Sequence, residues 1–169
     1  KMRNDLQVII TPLSQDEEHQ ADILSMIGAS VALTISDVPF DGPIGATRVG
    51  YVDGELVINP TLPQMEESQL DLKLAGSREA LLMVEASAEE VGEGVLIEAL
   101  RAGHEAIQNT IDAQHEMREA VGKQKRAYTL HGVVPDDLVN TMRHEASDRI
   151  ADAFYEAKDK EDRDDRVRA

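Results

Sequence analysis

The chain has 169 residues, with 17 Lys plus Arg against 33 Asp plus Glu, a formal net charge of −16. That length is about one domain, enough to bury roughly 70% of the unfolded surface, and the acidity argues against this segment itself gripping a nucleic-acid backbone or an anionic membrane. Aromatic residues are only 3% and Cys is absent, which leaves little for base stacking and excludes disulfides, thiolate nucleophiles and Cys-ligated zinc.

No apolar run approaches the roughly 20 residues of a membrane span, and no signal-peptide core opens the chain. A soluble, cytoplasmic protein with no membrane partner is expected. The chain opens Lys1-Met2-Arg3-Asn4 and closes on a charge-dense tail from Lys158 to Ala169. Neither end reads as a domain boundary, so a piece of a longer protein is expected.

Residues 6–13 are rich in β-branched side chains and close on Pro12, the pattern of a strand. Over 22–36, Ile23, Met26, Ile27, Val31 and Ile35 recur at helical spacing. Gly28-Ala29-Ser30 interrupts that helix, and small residues there point to tight packing against a neighbouring element. Pro39, Gly42 and Pro43 break the chain next. Residues 44–52 and 55–58 flank Asp53-Gly54, a pair suited to the positive φ angles of a type I′ turn, so a β-hairpin is predicted. Asn59-Pro60-Thr61 stops its second strand. Leu70, Leu72 and Leu74 alternate with Asp71 and Lys73, a half-buried strand. Gly76 turns it, and 81–86 forms a further strand.

Beyond Ser87 the pattern turns helical. Leu96, Leu100, Gly103, Ile107, Ile111 and Met117 share one face, predicting a single long helix over 95–121 with Gly122 as its C-terminal stop. Pro135 with Asp136 and Asp137 reads as a helix start. Leu138, Met142, Ala146, Ile150, Ala153 and Ala157 continue that helix as an apolar stripe, and the tail from Lys158 is expected to fray in solvent. The predicted fold class is α+β: a mixed sheet with packed helices over 1–121, then an all-helical region over 122–169.

The chemistry-bearing residues form no convincing active site. His104 and His115 lie about 20° apart on one helical face, with Asp112 nearby, and His144-Glu145 precedes Asp148. Neither set supplies the three or four convergent ligands that zinc requires. Asp16-Glu17-Glu18, Glu66-Glu67 and Glu89-Glu90 read as solvated acidic faces. Gly42-Pro43-Ile44-Gly45 lacks the Lys-Ser/Thr of a phosphate loop, and no Gly-x-Ser-x-Gly elbow exists.

Longer patterns say more. The run Met26-Ile27-Gly28-Ala29-Ser30-Val31-Ala32-Leu33, followed by Val38-Pro39-Phe40-Asp41-Gly42-Pro43-Ile44-Gly45-Ala46-Thr47-Arg48-Val49-Gly50-Tyr51, is very similar to bacterial polynucleotide phosphorylases. The likeness continues through Asn59-Pro60-Thr61, Leu70-Asp71-Leu72, Ala75-Gly76 and Leu82-Met83-Val84-Glu85. It then reaches Gly103-His104-Glu105, and Ala153-Phe154-Tyr155 to Asp159-Lys160-Glu161. It is collinear over nearly the whole chain.

That resemblance implies a 3′-to-5′ phosphorolytic exoribonuclease, a polyribonucleotide nucleotidyltransferase of RNA degradation that uses Mg²⁺, RNA and inorganic phosphate and assembles as a homotrimer. Residues 1–121 would be the C-terminal half of the first RNase PH-like domain, and 122–169 the start of the helical linker domain. In the family, the second such domain holds phosphate with a serine run and a metal with two aspartates and a lysine. Laid over this chain, the serine run falls on Gln20, Ala21 and Asp22. The earlier aspartate falls on Met65, beside Glu66, and the later aspartate and the lysine fall on Asp71 and Lys73. Met65 offers no oxygen for Mg²⁺, a metal that wants oxygen donors. Asp71 and Lys73 therefore read as vestigial positions of a non-catalytic copy, with no metal or cofactor expected in the segment itself and no RNA-binding residues assigned. The alternatives are a stand-alone acidic interaction or oligomerisation module without RNA turnover, and a metal-binding helical protein built on His104, His115 and His144.

Overall fold

The computed structural model describes residues 4–130 and 132–168; residues 1–3, 131 and 169, which include most of the opening Lys1-Met2-Arg3-Asn4 and the last residue of the charge-dense tail, lie outside the described ones. Two compact units divide the chain. One is Asp5–Tyr128, and the other is built on the residues from Thr129 onward.

The first unit is an antiparallel sheet with helices on both faces. Its elements run α1 (Asp22–Ile35), β1 (Gly45–Val52), β2 (Glu55–Ile58), α2 (Leu62–Glu67), β3 (Leu70–Gly76), β4 (Leu81–Ala88), α3 (Glu93–Ala106) and α4 (Gln108–Val121). The strands are ordered β2-β1-β3-β4. The α+β architecture is as expected, but every described pairing is antiparallel, where a mixed sheet was predicted. The connections account for this: four residues join β3 to β4, far short of the dozen or more that a parallel crossover needs.

The hairpin forms as the sequence predicts. Asp53 and Gly54 take positive φ angles of 51° and 83°, and Val52 pairs with Glu55. Alternation along β3 puts Leu70, Leu72 and Leu74 on one face, where they are almost fully buried with Val49, Ala99, Ile107 and Ile111. Each of the Leu, Ile and Val side chains among them contributes roughly 1.5–3 kcal/mol on burial. The opposite face carries Ala46 and Ala75 against Ile23, Met26 and Ile27 of α1. β1 lies between both layers and is buried over most of its length.

Three further expectations about the first unit are corrected. Residues 6–13 form no strand, and Val8, Ile9 and Ile10 stay exposed, because the β-branched run finds no neighbouring strand to pair with. The helix predicted over 95–121 is two helices meeting at Ile107, which is 1% exposed. A Cβ on Gly45 would lie 2.7 Å from the Ile107 Cβ, so the junction sits directly on β1. Gly28 faces open space, with nothing within 4 Å of where a methyl group would stand; the close approach falls instead on Ser30, whose hydroxyl accepts the Ile44 N–H at 3.0 Å. Gly122 stops α4 as expected, in extended conformation, and what it requires is room, since a Cβ there would collide with the Arg118 carbonyl.

Residues 122–128 stay with the first unit. The Lys123 N–H donates to the Ile35 carbonyl and the Arg126 N–H to that of Asp37, each at 2.8 Å. Between them the Lys125 ammonium donates to the carbonyls of Leu33, Thr34 and Ser36 at 2.8, 3.0 and 2.8 Å. These are carbonyls at a helix end, which otherwise lack partners.

The second unit holds α5 (Asp136–Tyr155) and α6 (Lys160–Arg168). α5 starts after Pro135 with Asp136 and Asp137 in its first turn, where acids complement the helix dipole. Of the predicted stripe, Ala153 is buried, while Leu138, Met142 and Ile150 are about half exposed. The tail expected to fray is helical. Arg166 pairs with Asp162 one turn away at 2.9 Å, and Arg163 lies 5.5 Å from the centre of the Phe154 ring. α6 buries no residue, so these local pairs, rather than a core, accompany its helix.

Candidate functional site

The positions singled out by pattern converge at one end of the sheet in the first unit. Asp22 opens α1, and its Oδ1 accepts the Ile23 N–H at 2.8 Å. Gln20 lies just before it. Asp71 and Lys73 share the α1-facing side of β3, where β1 presents Arg48 opposite Lys73 and Gly50 opposite Asp71. α2 brings Met65 and Glu66 to the same end. That helix was not predicted, although Thr61 and Gln64 form a capping box with Pro63 in the first turn, a sequence-readable start signal.

The residue that organises this end is Arg48, which no sequence argument singled out. Its side chain is only 6% exposed. Nη1 donates to Gln20 Oε1 at 2.6 Å and Nη2 to Asp22 Oδ2 at 3.0 Å. Nε stands 2.9 Å from Asp71 Oδ1. The backbone is equally constrained: Asn59 Oδ1 accepts the Arg48 N–H at 3.1 Å, and the Asn59 N–H donates to the Arg48 carbonyl at 2.7 Å. Asn59 manages both with a positive φ of 50°, a conformation that asparagine tolerates better than most residues.

Two clefts flank this ion cluster. One, of about 380 Å³, is lined in part by Gln20, Met65, Glu66, Ser68, Asp71 and Glu89. The other, of about 210 Å³, is lined in part by His19, Gln20, Asp22, Arg48 and Asn59. None of the described residues lining the larger cleft is Lys, Arg or His. Lys73 turns away to Glu85, at 3.7 Å. An anion in the larger cleft would therefore meet Glu66, Asp71 and Glu89 with no facing cation, an arrangement that repels phosphate.

Divalent metal fares no better with the residues present. Met65 supplies no oxygen, Asp71 already pairs with a guanidinium, and among the described residues no group of three His, Asp or Glu side chains is placed to hold an ion. The histidine sets are dispersed as well. His104 Nε2 lies 3.0 Å from the Ser77 carbonyl, and Asp112 pairs with Arg78. Both contacts fasten the β3–β4 turn to α3 and α4.

The sequence of this chain is similar to that of several known proteins. Residues 42–106, from just before β1 to the end of α3, match the family described as 3′ exoribonuclease family, domain 2. The chain is 45% identical over 162 residues to a polyribonucleotide nucleotidyltransferase of Exiguobacterium sibiricum, covering 96% of this chain and 22% of that protein. Against the enzyme of the same name from Halothermothrix orenii it is 51% identical over 134 residues, 79% of this chain and 19% of the relative. Against that of Thermomicrobium roseum it is 44% identical over 167 residues, 99% of this chain and 20% of the relative. The chain thus spans about a fifth of the length of the curated relatives it matches.

Proposed function

We propose that this chain, similar over nearly all its length to one segment of the polyribonucleotide nucleotidyltransferases, is a structural, non-catalytic part of a 3′-to-5′ phosphorolytic exoribonuclease acting in RNA degradation. In that reading the whole protein attacks the 3′-terminal phosphodiester of RNA with inorganic phosphate and releases nucleoside diphosphates. Mg²⁺ there would stabilise charge on the reacting phosphate. The residues of this chain do not fit that metal, so no step of the reaction is assigned to them. Their proposed part is scaffold: one wall of an RNA channel, contacts within a homotrimer and the beginning of a helical lid, in a cytoplasmic enzyme. Among the described residues no helix is long and apolar enough to cross a membrane.

One observation carries the non-catalytic reading. The larger cleft, which holds the matched positions Gln20, Met65 and Asp71, is lined also by Glu66 and Glu89 and by no Lys, Arg or His among the described residues, and Asp71 is engaged by Arg48. A chimera tests the whole assignment. Replacing the matching fifth of the Halothermothrix relative with this chain should keep phosphorolysis of poly(A), since a scaffold is exchanged for a scaffold. A folded chimera that releases no ADP would count against the family role. The isolated chain, given poly(A), phosphate and Mg²⁺, should release none; turnover that Asp71→Ala abolishes would overturn the non-catalytic reading.

A further inference from the structure

We draw no further inference here: the strongest candidate, the outer strand β4 with one edge unpaired and Leu82 and Val84 exposed, is an unpartnered apolar surface, and nothing in the structure shows what covers it.

Discussion

The ammonium of Lys125 lies 2.8 Å from the carbonyl oxygen of Leu33, joining the segment after α4 to the last turn of α1. Burial and the nearby Arg118 charge hold this ammonium below the usual lysine range, against an opposing effect of Asp37. The position is maintained because three carbonyls accept from one group. Lys125→Met should cost about 1–3 kcal/mol in urea unfolding, since those acceptors lose their donor. Trypsin should cut faster at Lys123 and Arg126 in that variant. An unchanged cutting rate would show that the two backbone bonds suffice.

Gly103 and Gly28 give the same substitution opposite signs. A methyl on Gly103 would run into the Leu74 side chain and come within 3.1 Å of Val49 Cγ2, both fully buried. Overpacking of that kind costs about 1–3 kcal/mol, more than the roughly 1 kcal/mol by which Ala is preferred in a helix. Gly28 has free space around it, so Gly28→Ala should gain about 0.5–1 kcal/mol. Thermal melts of the two single variants should move in opposite directions.

β4 is an edge strand with Leu82, Met83 and Val84 exposed. Open edges with apolar side chains promote self-association. Sedimentation across a concentration series should show the isolated chain associating at micromolar concentration, and Leu82→Lys/Val84→Lys should return it to monomer. Unchanged sedimentation in the double variant would place the contact elsewhere.

Asp37 and Arg126 provide the acid-side test. The guanidinium stands 2.6 Å from the carboxylate and holds its pKa below the ordinary aspartate value. For a depressed carboxyl the unfolded chain binds the proton first, so the stabilisation is complete above the unfolded value, about 3.9. It is lost as pH falls through the folded one. Asp37→Asn should therefore narrow its stability gap to wild type as pH drops below about 4. A gap independent of pH would mean that the pair contributes through shape alone.

How much of this was readable in the sequence depends on the range of the interaction. Asp53-Gly54 and the alternation of Leu70, Leu72 and Leu74 are local signals, and each produced its element. The strand expected over 6–13 failed because β-branched residues supply propensity without a pairing partner. The break at Ile107 leaves the apolar spacing intact, and its seat is a glycine far earlier in the chain, Gly45. Arg48 was missed for a related reason. A lone charged residue in a strand reads as a solvated face, and its burial depends on acids that arrive from α1 and β3. The pattern of the family brought Gln20, Asp22, Met65 and Asp71 to attention, and the fold gathers them at one end of the sheet, but the cation among them is visible only in three dimensions.

The strand order carries a consequence for how the first unit opens. β1 has a partner strand on each side and a helical layer on each face, so its amides can meet deuterium only when the whole unit comes apart. β4 is paired on one side alone, and its face lies open to solvent along nearly its full length. Exchange should therefore advance inward from β4 toward β1, and the amides of β1 should be among the last in the sheet to take up deuterium.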